Sequence, residues 1–418
     1  MPPSMVPAAV PLHEFAHACG GISLISYNVL LPNSSDGWWV FKYYDQSTPN
    51  EARTWAHRQA LLSTRLLGEM ADIVCIQEAS GDSFQADFSF MRQAGYSAVI
   101  HRKYRLRPAT FWREDAFSCI HERHRDKVLI TVLRSRHAPE KVVSVLNCHL
   151  IAAPDPARRF RQIFDALDQL RKDLNRLSIP LAEAAVVVCG DFNAAPGGSA
   201  THHLLSGGTV DAAFREPRWP DRSLSSKPRR HVFSAFSEVY LQTLGTAPVT
   251  LIGSRLVGLL TEDGQPSPAL LQAVAAMFTR FAREPDRMVW SEVEDWLVRI
   301  NRAPDRGSKH HKARTIVAER GEQWLSLVDF TGLYLSELSE GKYWSVLHDL
   351  QVCEVAPDGE RALYTASLDR IYASGLEVVA AWDPLTEVQR SALLGGGLGL
   401  PDAWHPSDHL PIGAVLRM

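Results

Sequence analysis

Short runs of apolar residues, each ending in polar residues, recur along the chain. They cover residues 22–30, 71–79, 141–150, 184–193, 367–374 and 407–416. Most of these runs are apolar at successive positions, which is typical of strands that are buried on both faces between packed layers. The sequence therefore predicts a set of buried β-strands with polar side chains at their ends.

Segments with helical periodicity lie between these runs. From residue 156 to residue 177, apolar side chains recur every three or four positions after an Asp-Pro start signal. The segment "WAHRQALLSTRLLGEM" before residue 71 is a second predicted helix. Strands alternating with amphipathic helices predict a mixed α/β fold built in layers.

Two parts of the chain depart from this alternation. Residues 256–350 carry helical patterns and almost no β-branched runs, which predicts a helical insert. Residues 1–20 contain four prolines and are predicted to be an irregular N-terminal segment. The remaining residues, 21–255 and 351–418, are then the two parts of one sheet-based catalytic domain.

The polar residues at the strand ends form a candidate site. Asp191 and Asn193 lie two positions apart in "GDFN", so their side chains leave the same face of a strand and can address one reacting centre. A carboxylate and an amide in this arrangement suit the activation of water beside a phosphate oxygen. Glu78 also ends an apolar strand, where a carboxylate can bind a hard cation. Further polar residues at predicted strand ends are Asn28, His149, Asp408 and His409.

The amino-acid composition restricts which partners the chain is expected to bind and in which cellular compartment it is expected. The chain has 418 residues and a formal net charge of -3, so affinity for nucleic acid must come from local basic patches, at 101–107, 121–127 and 227–231. No run approaches the roughly 18 to 20 apolar residues of a membrane span. The six cysteines lack paired spacing, which favours a reduced protein, expected in the cytoplasm with the nucleus as the alternative.

The strand-end motifs "SYN", "IQE", "NCHL", "GDFN", "LDRIY" and "SDHLP" stand in an order that resembles the endonuclease/exonuclease/phosphatase superfamily. The resemblance implies a four-layer α/β/β/α sandwich of two packed mixed β-sheets that hydrolyses phosphoesters with Mg²⁺ or Mn²⁺. It implies Glu78 as the principal metal ligand, with Asn28 and Asp408 completing or supporting the site. Asp191 would position or deprotonate the attacking water, assisted by Asn193.

The same resemblance assigns roles to the histidines. His149 and His409 would contact the scissile phosphate as its charge develops, and Asp369 would hold the ring of His409. This division of labour agrees with in-line phosphoryl transfer, which depends mostly on positioning and on charge neutralisation by a hard cation and hydrogen-bond donors.

Within the superfamily, the chain resembles the messenger-RNA deadenylase and nocturnin branch. Trp55 and Arg58 form a Trp-x-x-Arg pattern before the strand of Glu78, and "ATFW" (109–112) is similar to a stretch of the same branch. RNA is therefore one expected substrate, and the basic segment 101–107 could follow its phosphates. The alternatives are a phosphatase for a small nucleotide or other phosphorylated metabolite, and a calcium-responsive or scaffold protein with a silent site. Competent side chains at every matched position argue against a silent site.

The helical insert resembles a pair of EF-hands. If Asp329 is the twelfth position of a loop, Arg320 and Glu322 occupy the third and fifth, so most acidic ligands are missing. Registers of the first loop that end at Glu292 or Glu294 lack them as well. We therefore expect helical pairing without Ca²⁺ binding, and a role in binding a protein partner or in shielding the active site.

Two histidine-containing motifs compete with this interpretation. "HEFAH" (13–17) has the HExxH spacing of zinc proteases, but it lies in the proline-rich segment a few residues before a strand and would need a third ligand. "KHHK" (309–312) is interpreted as a solvated linker between helices of the insert, because its adjacent side chains cannot easily converge on one ion. We therefore expect the chemistry at the strand ends.

Overall fold

The secondary structure follows the apolar runs of the sequence. The computed structural model describes residues 3–6, 10–33, 37–195 and 197–418. In these ranges the strands are β1 (Ser4–Met5), β2 (Ile22–Asn28), β3 (Ile73–Ala79), β4 (Tyr96–Ile100), β5 (Arg107–Arg113), β6 (Phe117–Arg125), β7 (Val128–Ser135), β8 (Val142–His149), β9 (Ala185–Asp191), β10 (Thr209–Val210), β11 (Arg229–Arg230), β12 (Ser237–Glu238), β13 (Leu251–Leu256), β14 (Arg287–Val289), β15 (Trp324–Ser326), β16 (Arg361–Ala366), β17 (Asp369–Ser374), β18 (Glu377–Trp382) and β19 (Ile412–Arg417). The helices are α1 (Leu12–Ala18), α2 (Trp55–Glu69), α3 (Phe84–Asp87), α4 (Ser89–Gln93), α5 (Pro156–Arg176), α6 (Ala200–Gly207), α7 (Val239–Leu244), α8 (Pro268–Phe281), α9 (Trp290–Asn301), α10 (Ser308–Arg320), α11 (Leu327–Ser339), α12 (Tyr343–Val352) and α13 (Glu387–Gly395). Short 3-10 helices cover Val40–Lys42, Glu51–Arg53 and Leu181–Glu183.

Two large mixed β-sheets lie at the centre of the molecule. The first has the strand order β1-β18-β19-β2-β3-β5-β4, and the second has the order β12-β17-β9-β8-β7-β6. Each contains a central parallel pair, β2 with β3 and β8 with β9, between antiparallel neighbours. Parallel strands bring their carboxyl ends to the same edge of a sheet. Asn28, Glu78, His149 and Asp191 lie at those ends.

The two sheets pack face to face and form the inner core. Leu24 and Ile73 of the first sheet belong to the same buried cluster as Val145 and Val187 of the second. Helices α1, α2 and α4 cover the outer face of the first sheet, and α5 and α6 cover that of the second. The predicted four-layer sandwich is therefore confirmed. No helix in the described ranges has the length and hydropathy needed to cross a bilayer.

Helix α5 shows why the amphipathic segments form the outer layers. Asp155 caps the helix by accepting a hydrogen bond from Arg158 N at 3.0 Å, and Pro156 occupies the first turn, where no backbone donor is needed. The buried stripe consists of Phe160, Ile163, Leu167, Leu170 and Leu174. Burial of each such side chain contributes about 1.5–3 kcal/mol, so this stripe holds the helix on the sheet.

The described part of the N-terminal segment, residues 3–6 and 10–20, contains regular structure, so the prediction of an irregular segment at residues 1–20 is wrong for these residues. Strand β1 pairs with β18, and α1 buries Leu12 and Ala16 against β2 and β19. Pro11 precedes the first helical residue, where its missing N–H costs no helical hydrogen bond. This proline therefore precedes a helix and is not a sign of irregular structure.

The HExxH motif lies on α1 and ties that helix to the first sheet. His13 Nδ1 lies 3.3 Å from Asp72 Oδ1, and His13 Nε2 lies 2.7 Å from the guanidinium of Arg113. The rings of His13 and His17 are 6.4 Å apart. The contacts of His13 are thus with a carboxylate and an arginine of the neighbouring strands.

Helices α8–α12 lie between β13 and β16 and have a core of their own. Trp296, Phe330 and Leu333 are among its buried residues. Strands β14 and β15 pair in antiparallel fashion and join two helix–loop–helix units, α8–α9 and α10–α11. This part of the chain therefore packs as a separate layer of helices against the sandwich.

In both loops of these units an arginine contacts the acidic side chain at the start of the second helix. Arg283 Nε lies 3.5 Å from Glu292 Oε1, and Arg320 donates to Asp329 Oδ1 at 2.6 Å. Asp329 Oδ2 also accepts from Ser326 Oγ at 2.6 Å. The acidic groups are thus engaged by side chains of their own loops. The expectation that Ca²⁺ does not bind stays a prediction.

The segment "KHHK" is part of α10, and its interpretation as a solvated linker is wrong. Lys309 is buried, and its Nζ lies 2.9 Å from Asp349 Oδ2 and 3.1 Å from Ser345 Oγ, with Glu337 as a further partner. Neighbours along the chain do not reveal which side chains a helix buries. In a helix, one of four successive residues can instead face the interior of the insert.

Candidate active site

Polar side chains from adjacent strands converge at one edge of the sandwich. In the second sheet His149 lies opposite Asp191, and Asp191 lies opposite Asp369 on β17. His149 Nε2 is 3.7 Å from Asp191 Oδ2 and 3.6 Å from Glu78 Oε1. Because Glu78 belongs to the first sheet, the site spans both sheets.

Asn28 links two of the carboxylates. Its Nδ2 donates to Glu78 Oε1 at 3.3 Å and to Asp191 Oδ2 at 3.1 Å, while its Oδ1 accepts from Leu30 N at 3.1 Å. Asn28 is therefore a hydrogen-bond donor to the carboxylates in this arrangement. Coordination of a metal by its Oδ1 would require the amide to turn over.

A backbone irregularity directs Glu78 toward the site. Its φ of 68° lies in the left-handed region that residues other than glycine rarely adopt, and the pairing of β3 with β5 shifts register between Ile76 and Ala79. Such bulges redirect a side chain and occur often beside active sites. The carboxylate reaches Asn28, and Glu78 Oε2 accepts from Leu31 N at 3.2 Å.

The turn after β9 fixes the carboxylate of Asp191. Asn193 N donates to Asp191 Oδ1 at 2.8 Å, and Asn193 Nδ2 donates to Leu150 O at 2.9 Å. Gly190 has a φ of 130°, and a Cβ there would lie 2.0 Å from Cys148 O. Only glycine therefore allows β9 to approach β8 so closely just before Asp191.

His409 and Asp369 form a buried pair. His409 Nδ1 lies 2.7 Å from Asp369 Oδ2, and Asp369 N donates to Thr250 Oγ1 at 3.1 Å. Burial disfavours the charged ring, but the adjacent carboxylates of Asp369 and Asp408 outweigh this effect and hold the pKa of His409 well above its usual range. The ring is therefore a cation at neutral pH.

Burial also shifts the pKa values of other ionisable groups of the site. Burial, reinforced by the charge of Asp369, raises the pKa of Asp191 to about 7, and burial raises the pKa of Asp408 to about 6. Burial lowers the pKa of His149 to about 4, against the attraction of Glu78. At pH 7 His149 is neutral, and a group of crowded carboxylates surrounds it.

The site opens into a cleft of 1170 Å³. The predicted residues that line this cleft are Glu78, His149, Asp191, Asn193, Asp408 and His409. Asn28 and Asp369 are buried behind them. The structure thus brings all the predicted site residues together, while their individual roles stay predictions. Residues 338–344, at the corner between α11 and α12, line the same cleft.

The donor set fits a hard cation. Among the described residues, no group of three or more His, Cys, Asp or Glu side chains forms a complete metal cage. Mg²⁺ usually takes only one or two carboxylates and keeps several waters or substrate oxygens. Glu78 and Asp408 offer carboxylate oxygens to the cleft. The raised pKa of Asp408 reflects burial and, in part, the neighbouring charge of Glu78, and a cation between them would favour the ionised form.

Arg58 supports the site, although the sequence analysis gave it no role. It is fully buried, and its Nε donates to Pro406 O at 2.7 Å. Its terminal nitrogens donate to Val29 O at 2.8 Å and to Leu31 O at 3.1 Å. Arg58 thus joins the loop after β2 to the loop before β19. The Trp-x-x-Arg spacing marks this residue in the sequence, but it identifies none of these acceptors.

Replacement of Arg58 with lysine is expected to lower kcat by up to about 100-fold, because displacement of catalytic groups by about 1 Å has effects of that size. The free energy of unfolding is expected to fall by about 1–3 kcal/mol, since an ammonium group leaves buried carbonyls without donors. Steady-state kinetics and denaturant unfolding measure both quantities. Arg92→Lys, at an exposed arginine, is the control. An Arg58→Lys protein with unchanged kcat and stability would contradict the supporting role.

Aromatic side chains form a part of the cleft that the sequence analysis did not identify. The rings of Tyr43 and Trp344 stack with centroids 4.0 Å apart at 18°, and those of Tyr343 and Tyr364 lie 5.8 Å apart. Burial and then the charge of Asp408 raise the pKa of both Tyr43 and Tyr364, and both residues line the cleft together with Asp408. No strand-end pattern marks these residues.

Comparison with known proteins identifies a family and several relatives that are similar to this chain. Residues 25–409 match the model of the Endonuclease/Exonuclease/phosphatase family. Carbon catabolite repressor protein 4 homolog 2 of Arabidopsis thaliana is 27% identical over 253 residues, which are 49% of this chain and 39% of that protein. The CCR4-Not complex 3'-5'-exoribonuclease subunit Ccr4 of Candida albicans is 27% identical over 235 residues, 42% of this chain and 29% of that protein. The chain thus matches well under half the length of these relatives.

A solved structure shares the fold. The crystal structure of ANGEL2, a 2',3'-cyclic phosphatase, has a TM-score of 0.55 and 16% sequence identity, with 94% of each chain covered. The family match includes all the predicted site residues, from Asn28 to His409. The chain belongs to the endonuclease/exonuclease/phosphatase family.

Proposed function

We propose that this chain is a divalent-metal-dependent phosphoester hydrolase in which Asp191 directs water at the phosphorus atom. The observation that carries the proposal is the contact between Glu78, His149 and Asp191 across two sheets, at distances of 3.6 and 3.7 Å, in the wall of the cleft. Buried carboxylates with raised pKa values beside a cationic histidine are typical of catalytic sites.

Asp191 is suited to orient or deprotonate the attacking water. Asn28 and Asn193 each donate a hydrogen bond to its carboxylate and fix the positions of its oxygens. The pKa of about 7 allows this group to accept a proton near neutral pH. The carboxylate of Asp191 thus has both a fixed position and a pKa suited to a general base.

The histidines are suited to hold the phosphate. His409 is positively charged and can donate a hydrogen bond to a phosphate oxygen as charge develops there, while Asp369 keeps its ring in place. His149, neutral and in the cleft wall, can offer a second donor. Mg²⁺ or Mn²⁺ at Glu78, supported by Asp408 and Asn28, would neutralise charge on the phosphate.

RNA is the first candidate substrate within this proposal. The Candida albicans relative is named a 3'-5'-exoribonuclease, and its similarity supports action on an RNA end. A small phosphorylated metabolite is the second candidate, because the insert contributes residues 338–344 as a further wall of the cleft beside the catalytic residues.

Removal of the metal tests the proposal. Hydrolysis by the purified chain is measured on poly(A)-tailed RNA, single-stranded DNA and nucleotide phosphates with Mg²⁺, Mn²⁺ or EDTA. We expect turnover with metal to exceed turnover in EDTA by about 100-fold or more, since a bound cation is worth several kcal/mol of transition-state stabilisation. Stepwise shortening of the RNA identifies a deadenylase, and phosphate release from small molecules alone identifies a metabolite phosphatase.

The scaffold alternative predicts a different result. Heat released on Ca²⁺ binding, measured by titration calorimetry, without metal-dependent hydrolysis of any substrate would contradict the proposed enzyme. It would place the function of the chain in the insert.

A further inference from the structure

The insert contributes directly to the catalytic cleft. Residues 338–344 line the same cavity as Asp408 and His409, which belong to the sandwich. The cleft has a volume of 1170 Å³, larger than the about 300–1,000 Å³ of most small-molecule pockets. It therefore has room for a phosphate at the catalytic residues and for a bulky neighbouring group.

A buried ionic cluster fixes the insert to the sandwich. Lys42, in the segment between β2 and α2, donates to Asn301 Oδ1 at 2.6 Å and to Asp349 Oδ1 at 3.3 Å, both in the insert. Asp349 is completely buried and also lies 2.9 Å from Lys309 Nζ. The Arg302 guanidinium lies 3.9 Å from the Phe41 ring centroid. These contacts hold the segment that carries Tyr43 against α12 and the C-terminal end of α9.

Aromatic rings lie where the two parts meet. Tyr43 comes from the sandwich and Trp344 from the insert, and their rings are stacked at 4.0 Å. Tyr343 of α12 and Tyr364 of β16 form a second pair between the insert and the rest of the chain. All four rings line the cleft and are only partly buried. Partly exposed aromatic rings beside a phosphate site are typical of surfaces that stack nucleobases.

We propose that Trp344, together with Tyr43, Tyr343 and Tyr364, forms a subsite for the base of a nucleotide adjoining the scissile phosphate. This inference rests on the proposed hydrolase function and specifies its substrate class as a nucleotide. Tyr43 and Tyr364 line the same cleft as Asp408 and His409, so a base against this group of rings can accompany a phosphate at the catalytic residues. Lys342, also in the cleft wall, forms an ion pair with Glu340 of the same wall at 2.6 Å.

Kinetics with base-free substrates test the subsite. The substrates are a short RNA and two counterparts that carry an abasic ribose on one or the other side of the scissile phosphate. Wild-type protein is expected to show a KM about 5- to 150-fold higher for one of the abasic substrates, because a stacked base is worth that factor in binding. Trp344→Ala should remove the difference, and Trp344→Phe should retain it.

A control variant and a binding measurement complete the experiment. Trp404 is 76% exposed and does not line the cleft, so Trp404→Ala is expected to behave as wild type. Calorimetric titration with adenosine monophosphate and with ribose 5-phosphate measures base recognition without turnover. We expect the nucleotide to bind about tenfold or more tightly than the sugar phosphate in the wild type and equally weakly in Trp344→Ala.

The outcomes separate this inference from the proposed function. Equal KM values for the RNA and both abasic substrates, together with equal binding of adenosine monophosphate and ribose 5-phosphate, would overturn the subsite. The proposed hydrolase function would stand. Equal losses on all substrates in both Trp344 variants would also overturn it, because they would indicate general damage. Base-dependent binding through Trp344 without any hydrolysis would support the subsite and contradict the proposed function.

Discussion

Replacement of Asp191 with asparagine is expected to lower kcat by about 10²- to 10⁴-fold, the range associated with loss of a general base. The amide has nearly the same shape as the carboxylate, but it cannot accept the proton of the attacking water. The fold should be kept, because the site is buried and already disfavours the charge on Asp191, whose pKa is raised to about 7. Single-turnover kinetics with saturating metal measure the effect on chemistry, and thermal unfolding checks the fold.

The control for Asp191→Asn is the same change at Asp165, which is exposed on α5. This control is expected to keep wild-type kcat and stability. If the Asp191→Asn variant retains more than a tenth of wild-type kcat, another residue is the general base. Full loss of activity together with unfolding at a lower temperature would show that the main role of Asp191 is to stabilise the fold.

The largest loss of stability is expected at Asp349. Asp349→Asn should lower the free energy of unfolding by about 3–5 kcal/mol, the usual cost of removing one partner from a buried ion pair. Asp349 faces both Lys42 and Lys309, and its replacement leaves Glu337 as the remaining acid beside two buried lysines. Denaturant unfolding followed by tryptophan fluorescence measures the loss.

A double variant distinguishes charge imbalance from simple loss of packing. Lys42→Met combined with Asp349→Asn removes one charge of each sign, so it should be more stable than the sum of the two single changes predicts, by about 0.5–3 kcal/mol. Asp168→Asn removes an exposed pair with Lys172, 2.7 Å apart, and should cost less than about 1 kcal/mol. Additive effects at Lys42 and Asp349 would contradict the coupling.

The strand ends could be predicted from the sequence because each is a local signal. An apolar run followed by Glu78 or by Asp191 shows both the strand and the position at which it reaches the surface. Their meeting also requires that the two sheets pack face to face with these strand ends at the same edge. Local signals also explain why α5 and the helical character of the insert agree with the prediction, although the "KHHK" segment of α10 does not.

Contacts between distant segments could not be predicted in this way. Tyr43 and Trp344 meet through the packing of the insert on the sandwich, and nothing adjacent to either residue indicates the other. The carbonyls that surround Arg58 come from loops on both sides of the site, and the bulge at Glu78 depends on pairing with β5. Pro11 was misread for a related reason, because its effect depends on whether it stands before a helix or within one.

The positions of β17 and β19 determine when the catalytic groups can assemble. Both strands come late in the sequence, yet β17 lies between β12 and β9, and β19 lies between β18 and β2. The insert, by contrast, packs through contacts within one continuous stretch and can form earlier during synthesis. Asp369 begins β17 and His409 precedes β19, so the histidine–carboxylate pair is the last part of the site to arrive. A chain synthesised only as far as residue 408 therefore lacks this pair, and under the proposed function we expect it to be inactive.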